Sequence, residues 1–350
     1  MHLTAELLLQ WYAKNQRDLP WRNQHNPYHS WLSEIILQQT RVDQGLSYFH
    51  KFTATFPTVT DLANAEEETI LKLWQGLGYY SRARNLHKSA KIIRDNYNGE
   101  FPNSAAELLN LPGVGPYTSA AIASIAFDEH IPVVDGNVLR VISRLTDSFL
   151  PINEKEGLSH VHETMSALIP EEAPGDFNQA VMELGALVCT PQNPKCLTCP
   201  VVASCEGNKK NHTAELPVKI KKTKVKEVFF YYFIPYSEQH IMAHHRAEKG
   251  IWQNLYDFPL HESTKELEVS TIEDSAGQLF DQSFTIHSMT DNHIHLLSHR
   301  RINARFIFLA FRQKPTLLEN CSWKTADEFE QLPLPKLVEK IVPSITELIG

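Results

Sequence analysis

From Leu7 to Leu187 apolar residues recur at intervals of three and four, as in Ile35, Ile36 and Leu37 and again in Ala120, Ile122, Ala123 and Ile125. That spacing lays an apolar stripe along a helix, so an all-helical first domain is expected. Past a lysine-rich stretch the pattern changes. Val228 to Ile234 is aromatic and β-branched, and Ile294 to Leu297 and Arg305 to Phe311 also read as strands. An α+β second domain is therefore expected to begin near Glu227 and to close with a short helix over 335–348, its regularity limited by Pro343. The divisions that follow are a helical domain over 1–212, a basic linker over 213–227 and the α+β domain over 228–350.

With 350 residues, 42% of them hydrophobic, the chain has material for two cores. No apolar run is long enough to cross a membrane, so a soluble cytoplasmic protein is expected. The formal net charge of −8 argues against a nucleic-acid partner when averaged over the chain. Its distribution argues the other way. Lys209, Lys210, Lys219, Lys221, Lys222, Lys224 and Lys226 crowd a stretch in which Glu215 is the sole acid, which is either a solvated connector or one that passes close to a polyanion.

Four of the five cysteines, Cys189, Cys196, Cys199 and Cys205, follow the spacing C-x6-C-x2-C-x5-C. Four thiolates in so short a stretch supply a complete tetrahedral set for zinc or for an iron-sulfur cluster, and the spacing alone does not choose between them. Disulfides are the competing reading, disfavoured by chain size and by the absence of a signal-peptide pattern. Cys321 stands apart and reads as a structural or surface thiol.

Leu111-Pro112-Gly113-Val114-Gly115-Pro116-Tyr117-Thr118 joins two helical patterns. Gly113 and Gly115 permit a tight turn, and Pro116 suits the first position of the next helix. Backbone N–H groups at such a helix start either receive a DNA phosphate or merely complete a structural corner. Asp135 lies twenty residues after Gly115. Asp135 and Asn137 are good N-cap residues for the helix that follows, yet Val133 and Val134 place Asp135 at the edge of the interior, where a carboxylate can stabilise cationic charge. Glu34 shares a helix face with Gln38 but is flanked by apolar residues. Partial burial there raises its proton affinity and suits it to general acid chemistry, with a structural role as the alternative.

Together these segments resemble the iron-sulfur helix-hairpin-helix DNA glycosylases, in particular the branch that removes adenine opposite 8-oxoguanine. The matching pieces are Leu19 to Arg22, Trp31 to Thr40, Gly76 to Leu86, Leu111 to Thr118, Val133 to Arg140 and the four-cysteine loop. The resemblance implies a [4Fe-4S] cluster on Cys189, Cys196, Cys199 and Cys205, holding a DNA-contacting loop rather than cleaving a bond. It implies that Glu34 protonates adenine N7 and then handles water, that Asp135 stabilises the oxocarbenium-like sugar, and that Asn137 orients the reacting groups. Tyr117 stands where the lyase relatives carry a Schiff-base lysine, so monofunctional hydrolysis is implied, with Tyr117 lining the sugar pocket or bonding to Asp135. Gln39, Leu77 and Tyr79 resemble the residues that fill the duplex around a flipped base, beside Gly113 and Gly115 at the phosphate turn.

Trp252 to Pro259 resembles part of the Nudix-like lesion-recognition domain of the same glycosylases, while His261 to Phe280 lacks the clustered acids of Nudix hydrolysis. Ser298 and His299 resemble the pair that contacts 8-oxoguanine, with Leu297 where the family carries phenylalanine. His293 and His295 share a strand face but lack companion carboxylates for a second metal. The expected partner is double-stranded DNA containing A:8-oxoguanine or A:G, engaged by a monomer off the membrane, at the nucleoid in a bacterium, with abasic-site repair proteins downstream.

Overall fold

The structure is a computed structural model that describes residues 3–22, 26–220, 226–297 and 299–349. The chain forms two compact units, Met1–Asn64 with Asn85–Lys221, and Ala65–Arg84 with Lys222–Gly350.

The first unit is helical. Its elements are α1 (Leu3–Asn15), α2 (Pro27–Leu37), α3 (Val42–Thr55) and α4 (Val59–Asn64); after α5 (Glu67–Trp74), which belongs to the second unit, come α6 (Ser81–Asn96), α7 (Ala105–Leu108), α8 (Pro116–Phe127), α9 (Gly136–Leu145), α10 (Lys155–Leu168), α11 (Pro174–Leu187) and α12 (Glu206–Lys209). Local signals set the boundaries. Asn26 accepts hydrogen bonds from the N–H groups of Tyr28 and His29 ahead of Pro27, and Asp135 caps α9 by accepting from Val138 N at 2.7 Å. The core joins Leu8 and Tyr12 of α1, Val138, Val141 and Ile142 of α9, Met165 of α10 and Phe177, Val181 and Leu184 of α11. Each such side chain contributes about 1.5–3 kcal/mol on burial.

The turn before α8 gives its two glycines different duties. Gly113 sits at φ +80°, and a Cβ there would lie 2.8 Å from the Asn85 side chain; Gly115 has φ −97° and open space around the position of a Cβ. Only Gly113 is demanded by the backbone.

Among the described residues the second unit is built on an eight-stranded sheet: β1 (Lys226–Ser237), β2 (His240–His245), β3 (Tyr256–Asp257), β4 (Leu260–Ser263), β5 (Phe284–Met289), β6 (His293–Leu296), β7 (Arg300–Phe311) and β8 (Cys321–Lys324). The main path runs β3-β2-β1-β7-β5, with β4 on β1, β6 on β7 and β8 on β2; β1 and β7 are parallel and the other pairs antiparallel. Alternation along β1 buries both faces. Tyr231 and Phe233 pack with Ile307, Leu309 and α13 (Val269–Leu279), while Tyr232 stacks on Phe306 at 5.0 Å and Phe258 on Phe329 of α14 (Ala326–Gln331). The expected closing helix is two helices, α15 (Lys336–Glu339) and α16 (Val342–Ile349), and Pro343 lies in the first turn of the second, where its missing N–H costs no bond. His293 and His295 set their rings edge-on to Phe306 and Trp252.

The expectation of a metal at the four-cysteine loop is corrected by the structure, and with it the [4Fe-4S] and zinc readings. Among the described residues, no group of three or more His, Cys, Asp or Glu is placed to hold a metal ion. All five cysteines are free thiols. Cys189, Cys196, Cys199 and Cys205 do line one cavity, but its volume is about 20 Å³, room for about one water. Burial pushes the Cys196 and Cys205 thiols up and takes Cys199 to about 11. The loop is tied instead by Arg144, which is buried on α9. Its guanidinium donates to the carbonyls of Cys189, Thr190, Pro191 and Leu216 and to Cys189 Sγ at 3.4 Å, and Cys205 Sγ donates to the Arg144 carbonyl at 3.3 Å.

Gly113→Ala is expected to lower stability by about 1–3 kcal/mol through the left-handed φ and the Asn85 contact, and Gly115→Ala by less than about 0.5 kcal/mol. Denaturant midpoints of the two variants check this; equal losses would contradict the assignment.

Candidate active site

α2, α8, α9 and α11 enclose a pocket of about 220 Å³ in the first unit, and Glu34, Tyr117, Asp135 and Asn137 all reach its wall. Ser33 and Ile35 on either side of Glu34 are buried, so its carboxyl faces the pocket across a largely apolar helix. Desolvation pushes Glu34 up to about 7. A hydrogen bond with the Tyr117 hydroxyl and the charge of Arg22 oppose that rise, while the neighbouring Asp135 charge adds to it. Burial carries the Tyr117 phenol well above its ordinary value, and the hydroxyl also lies 3.9 Å from Met182 Sδ.

Asp135 has a different environment. Burial raises its proton affinity too, but Val138 N donates to Oδ1 at 2.7 Å and Asn137 Nδ2 to Oδ2 at 2.8 Å, both favouring the ionised form. Asn137 is itself held: Arg140 Nη2 donates to its Oδ1 at 2.9 Å, and to the Gly185 carbonyl at 2.8 Å. A Cβ on Gly185 would come within 2.6 Å of Asn137 Cβ, so this glycine lets α11 run close against the residue. Capping and pocket lining, set out as alternatives for Asp135, coexist in one side chain.

The pocket also holds a group that the sequence reading passed over. Glu183 of α11 is 1% exposed; burial works to raise its carboxyl, but bidentate bonds from Arg17 (2.7 and 2.9 Å) and Arg22 (2.9 and 3.1 Å) win and hold it at about 2. Two guanidiniums on one carboxylate leave net positive charge beside Glu34. The signal was available: Glu183 is the lone acid in the apolar run Ala180 to Leu187, the context that singled out Glu34.

Other expected residues lie outside this pocket. Gly113 is in the turn that Gln38 reaches through its side chain, to the Gly113 carbonyl at 3.4 Å and Thr118 Oγ1 at 3.2 Å. Gln39 is exposed with φ +57°. Leu77 is 7% exposed and Tyr79 47%, so of that pair only the phenol ring projects into solvent. Arg82 is buried beneath this loop, donating to the carbonyls of Leu77 and Gly78, and so structures it. In the second unit Leu297 N bonds to Arg300 O at 2.8 Å to close the turn between β6 and β7; His299 is exposed, and Ser298 lies outside the described residues.

This pocket in a helix-turn-helix frame, two carboxyls in contrasting environments beside a glycine turn, defines a base-excision DNA glycosylase architecture. Residues 32–164 match the HhH-GPD superfamily base excision DNA repair protein model, and residues 230–344 match the NUDIX domain model. A solved thermostable thymine-DNA glycosylase is 30% identical with a TM-score of 0.54, over 59% of this chain and 96% of that one. Endonuclease III, solved in a non-covalent complex with DNA, is 25% identical with a TM-score of 0.51 over 59% and 94%. The adenine DNA glycosylase of Buchnera aphidicola subsp. Schizaphis graminum (strain Sg) is 36% identical over 260 residues, 74% of this chain and 75% of that protein. The adenine DNA glycosylase of Homo sapiens is 42% identical over 224 residues, 60% of this chain and 40% of that protein. The chain belongs to the adenine DNA glycosylase family and is a DNA N-glycosylase. Family membership stands without the iron-sulfur loop that accompanied it in the expectation. Among the described residues no helix is long and apolar enough to cross a membrane.

A pH test follows from Glu34. Its carboxyl binds a proton more tightly folded than unfolded, so its contribution to stability is full below pH 4.5, falls as pH rises toward 7 and is flat above. Glu34→Gln is expected to match the wild type near pH 4 and to exceed it by about 2–3 kcal/mol at pH 8. Denaturant unfolding at the two pH values measures the difference; a gap independent of pH would contradict it.

Proposed function

We propose that the pocket hydrolyses the N-glycosidic bond of adenine mispaired with 8-oxoguanine or guanine in duplex DNA, without lyase chemistry, as the first step of base excision repair. One observation carries the reading: Glu34, with a carboxyl that titrates at about 7, hydrogen-bonds to Tyr117 next to Asp135, which is held by Asn137 and the Val138 N–H. Adenine is a poor leaving group until a ring nitrogen is protonated. Glu34 gives its proton to N7, the electron pair of the C1′–N9 bond leaves with the base, and the sugar becomes cationic. Asp135 stabilises that cation through its carboxylate. The Glu34 carboxylate then accepts a proton from the water that attacks C1′, which restores the acid and leaves an abasic site. The Tyr117 hydroxyl donates to the Glu34 carboxyl and stabilises the carboxylate that proton transfer leaves, and Asn137 fixes the orientation of Asp135.

Monofunctional action is supported by the phenol of Tyr117, since no amine stands at that position of the turn. In this reading Gly113 and Gly115 bring backbone N–H groups to a phosphate, Gln39 and the exposed Tyr79 fill the space around the flipped adenine with the buried Leu77 supporting their turn, and Ser298 and His299 read the base opposite. The divisions 1–212, 213–227 and 228–350 are its working parts, and the protein acts as a monomer on DNA in the cytoplasm or nucleoid.

A single-turnover assay on duplexes containing A:8-oxoguanine, A:G or A:T, with free adenine resolved before and after alkali, tests the reading. Glu34→Gln and Asp135→Asn are each expected to lower adenine release about 100-fold or more while DNA binding persists. Wild-type rates in either variant would remove that residue from the chemistry. The rate is expected to fall as pH rises through about 7, because Glu34 must carry its proton at the start. Strand cleavage is expected only after alkali; a borohydride-trapped imine during turnover would contradict monofunctional hydrolysis.

A further inference from the structure

The turn that carries Leu77 and Tyr79 falls in the matched helix-hairpin-helix region, yet Ala65–Arg84 packs in the compact unit of the second domain. Five attachments hold it there. Tyr80 Oη donates to the Leu334 carbonyl at 3.0 Å, and both residues are buried. Lys72 Nζ donates to the carbonyls of Glu330 and Leu332 at 2.6 and 3.2 Å, satisfying the end of α14 with a cation. Gln75 hydrogen-bonds to Glu339. Arg84 Nη1 donates to the Gln253 carbonyl at 2.7 Å, and Asn254 Nδ2 donates to Glu67.

The turn itself is stiff. Tyr79 is held at φ +47°, and Arg82 bonds to the carbonyls of Leu77 and Gly78 while lying 5.1 Å over the Trp74 ring and 5.7 Å over Tyr79. A stiff loop with attachments on two sides moves with what it is attached to. The second unit also supplies a packed route from the turn between β6 and β7. His295 on β6 sets its ring against Trp252 at 5.5 Å, and the next residue, Gln253, is the acceptor for Arg84.

We propose that the Tyr79 turn is mounted on the base-reading domain, with Tyr80 and Lys72 as positioning residues that let the base opposite adenine set where Tyr79 enters the duplex. The inference rests on the reading above, in which Tyr79 enters DNA and the β6–β7 turn meets the opposite base. A mispair that seats well on the second domain fixes the wedge and so favours base flipping. A mispair that seats poorly leaves the wedge unplaced. Discrimination is thereby exerted before adenine reaches Glu34.

The test is the double variant Tyr80→Phe/Lys72→Met, which removes the three hydrogen bonds to the 330–334 segment and keeps the apolar bulk. Adenine release from A:8-oxoguanine is expected to fall about tenfold in single turnover while release from A:G stays within about twofold. An equal fall on both duplexes, or no change on either, would overturn the proposal. Amide hydrogen exchange on the full-length protein without DNA supplies a second measurement. Exchange at residues 76–80 is expected to rise about fivefold in the variant with α9 unchanged; unchanged exchange at 76–80 would show that the attachments do not position the turn. If the wild type releases adenine from no duplex, the proposed function fails, and the exchange measurement still decides the attachment.

Discussion

Two carboxyl groups facing one small, poorly solvated pocket have to be kept chemically different, and the first unit is arranged around that constraint. Both Glu34 and Asp135 are raised by burial, and the Asp135 charge raises Glu34 further. The protein separates them by donor supply. Asp135 receives a backbone N–H and an amide, which favour its charge, while Glu34 has one phenol partner and apolar neighbours along α2. The packing that secures these partners extends outward: Gly185 admits Asn137, Arg140 locks Asn137, and the N-cap of α9 is the same carboxylate that faces the pocket. Structural and chemical duties are therefore not alternatives at Asp135.

How much of this was legible depended on whether the signal was local. Helix periodicity, the capping residues, the glycine turn and the aromatic run of β1 are properties of a few consecutive residues, and they appear where the spacing places them. Glu34 was legible because an acid in an apolar helical run requires explanation. Glu183 carried the same signature, but its meaning depended on Arg17 and Arg22, more than 160 residues away. Short strands such as β2, β3 and β8 were missed for a related reason: their pairing partners lie elsewhere in the chain, and little in their own sequence marks them. The break between α15 and α16 was masked because Pro343 begins a helix where it was read as weakening one.

The four cysteines show the opposite failure. Their spacing is a strong local signal, and the four do line one cavity, but spacing does not fix whether that cavity can hold an ion. In the structure the loop is organised by the Arg144 guanidinium and a set of backbone carbonyls, and among the described residues no group of three or more His, Cys, Asp or Glu is placed to hold a metal. Segment 65–84 is a second case in which chain order and packing disagree. It matches the helix-hairpin-helix model in sequence and is bonded into the second unit through Lys72, Tyr80 and Arg84. Neither fact could be read from periodicity, because both depend on contacts between residues far apart in the chain.

The central claim is that desolvation pushes Glu34 up so that it has a proton to give at neutral pH, while Asp135, also raised by burial, receives the Val138 and Asn137 hydrogen bonds that favour its carboxylate. Carboxyl carbon NMR of the selectively labelled full-length protein, titrated between pH 4 and 9 with Glu34→Gln to assign the resonance, measures this without reliance on turnover. The account predicts a Glu34 midpoint at about 7. A midpoint at the ordinary value of 4.5 would contradict it, because Glu34 would then carry no proton to give at neutral pH.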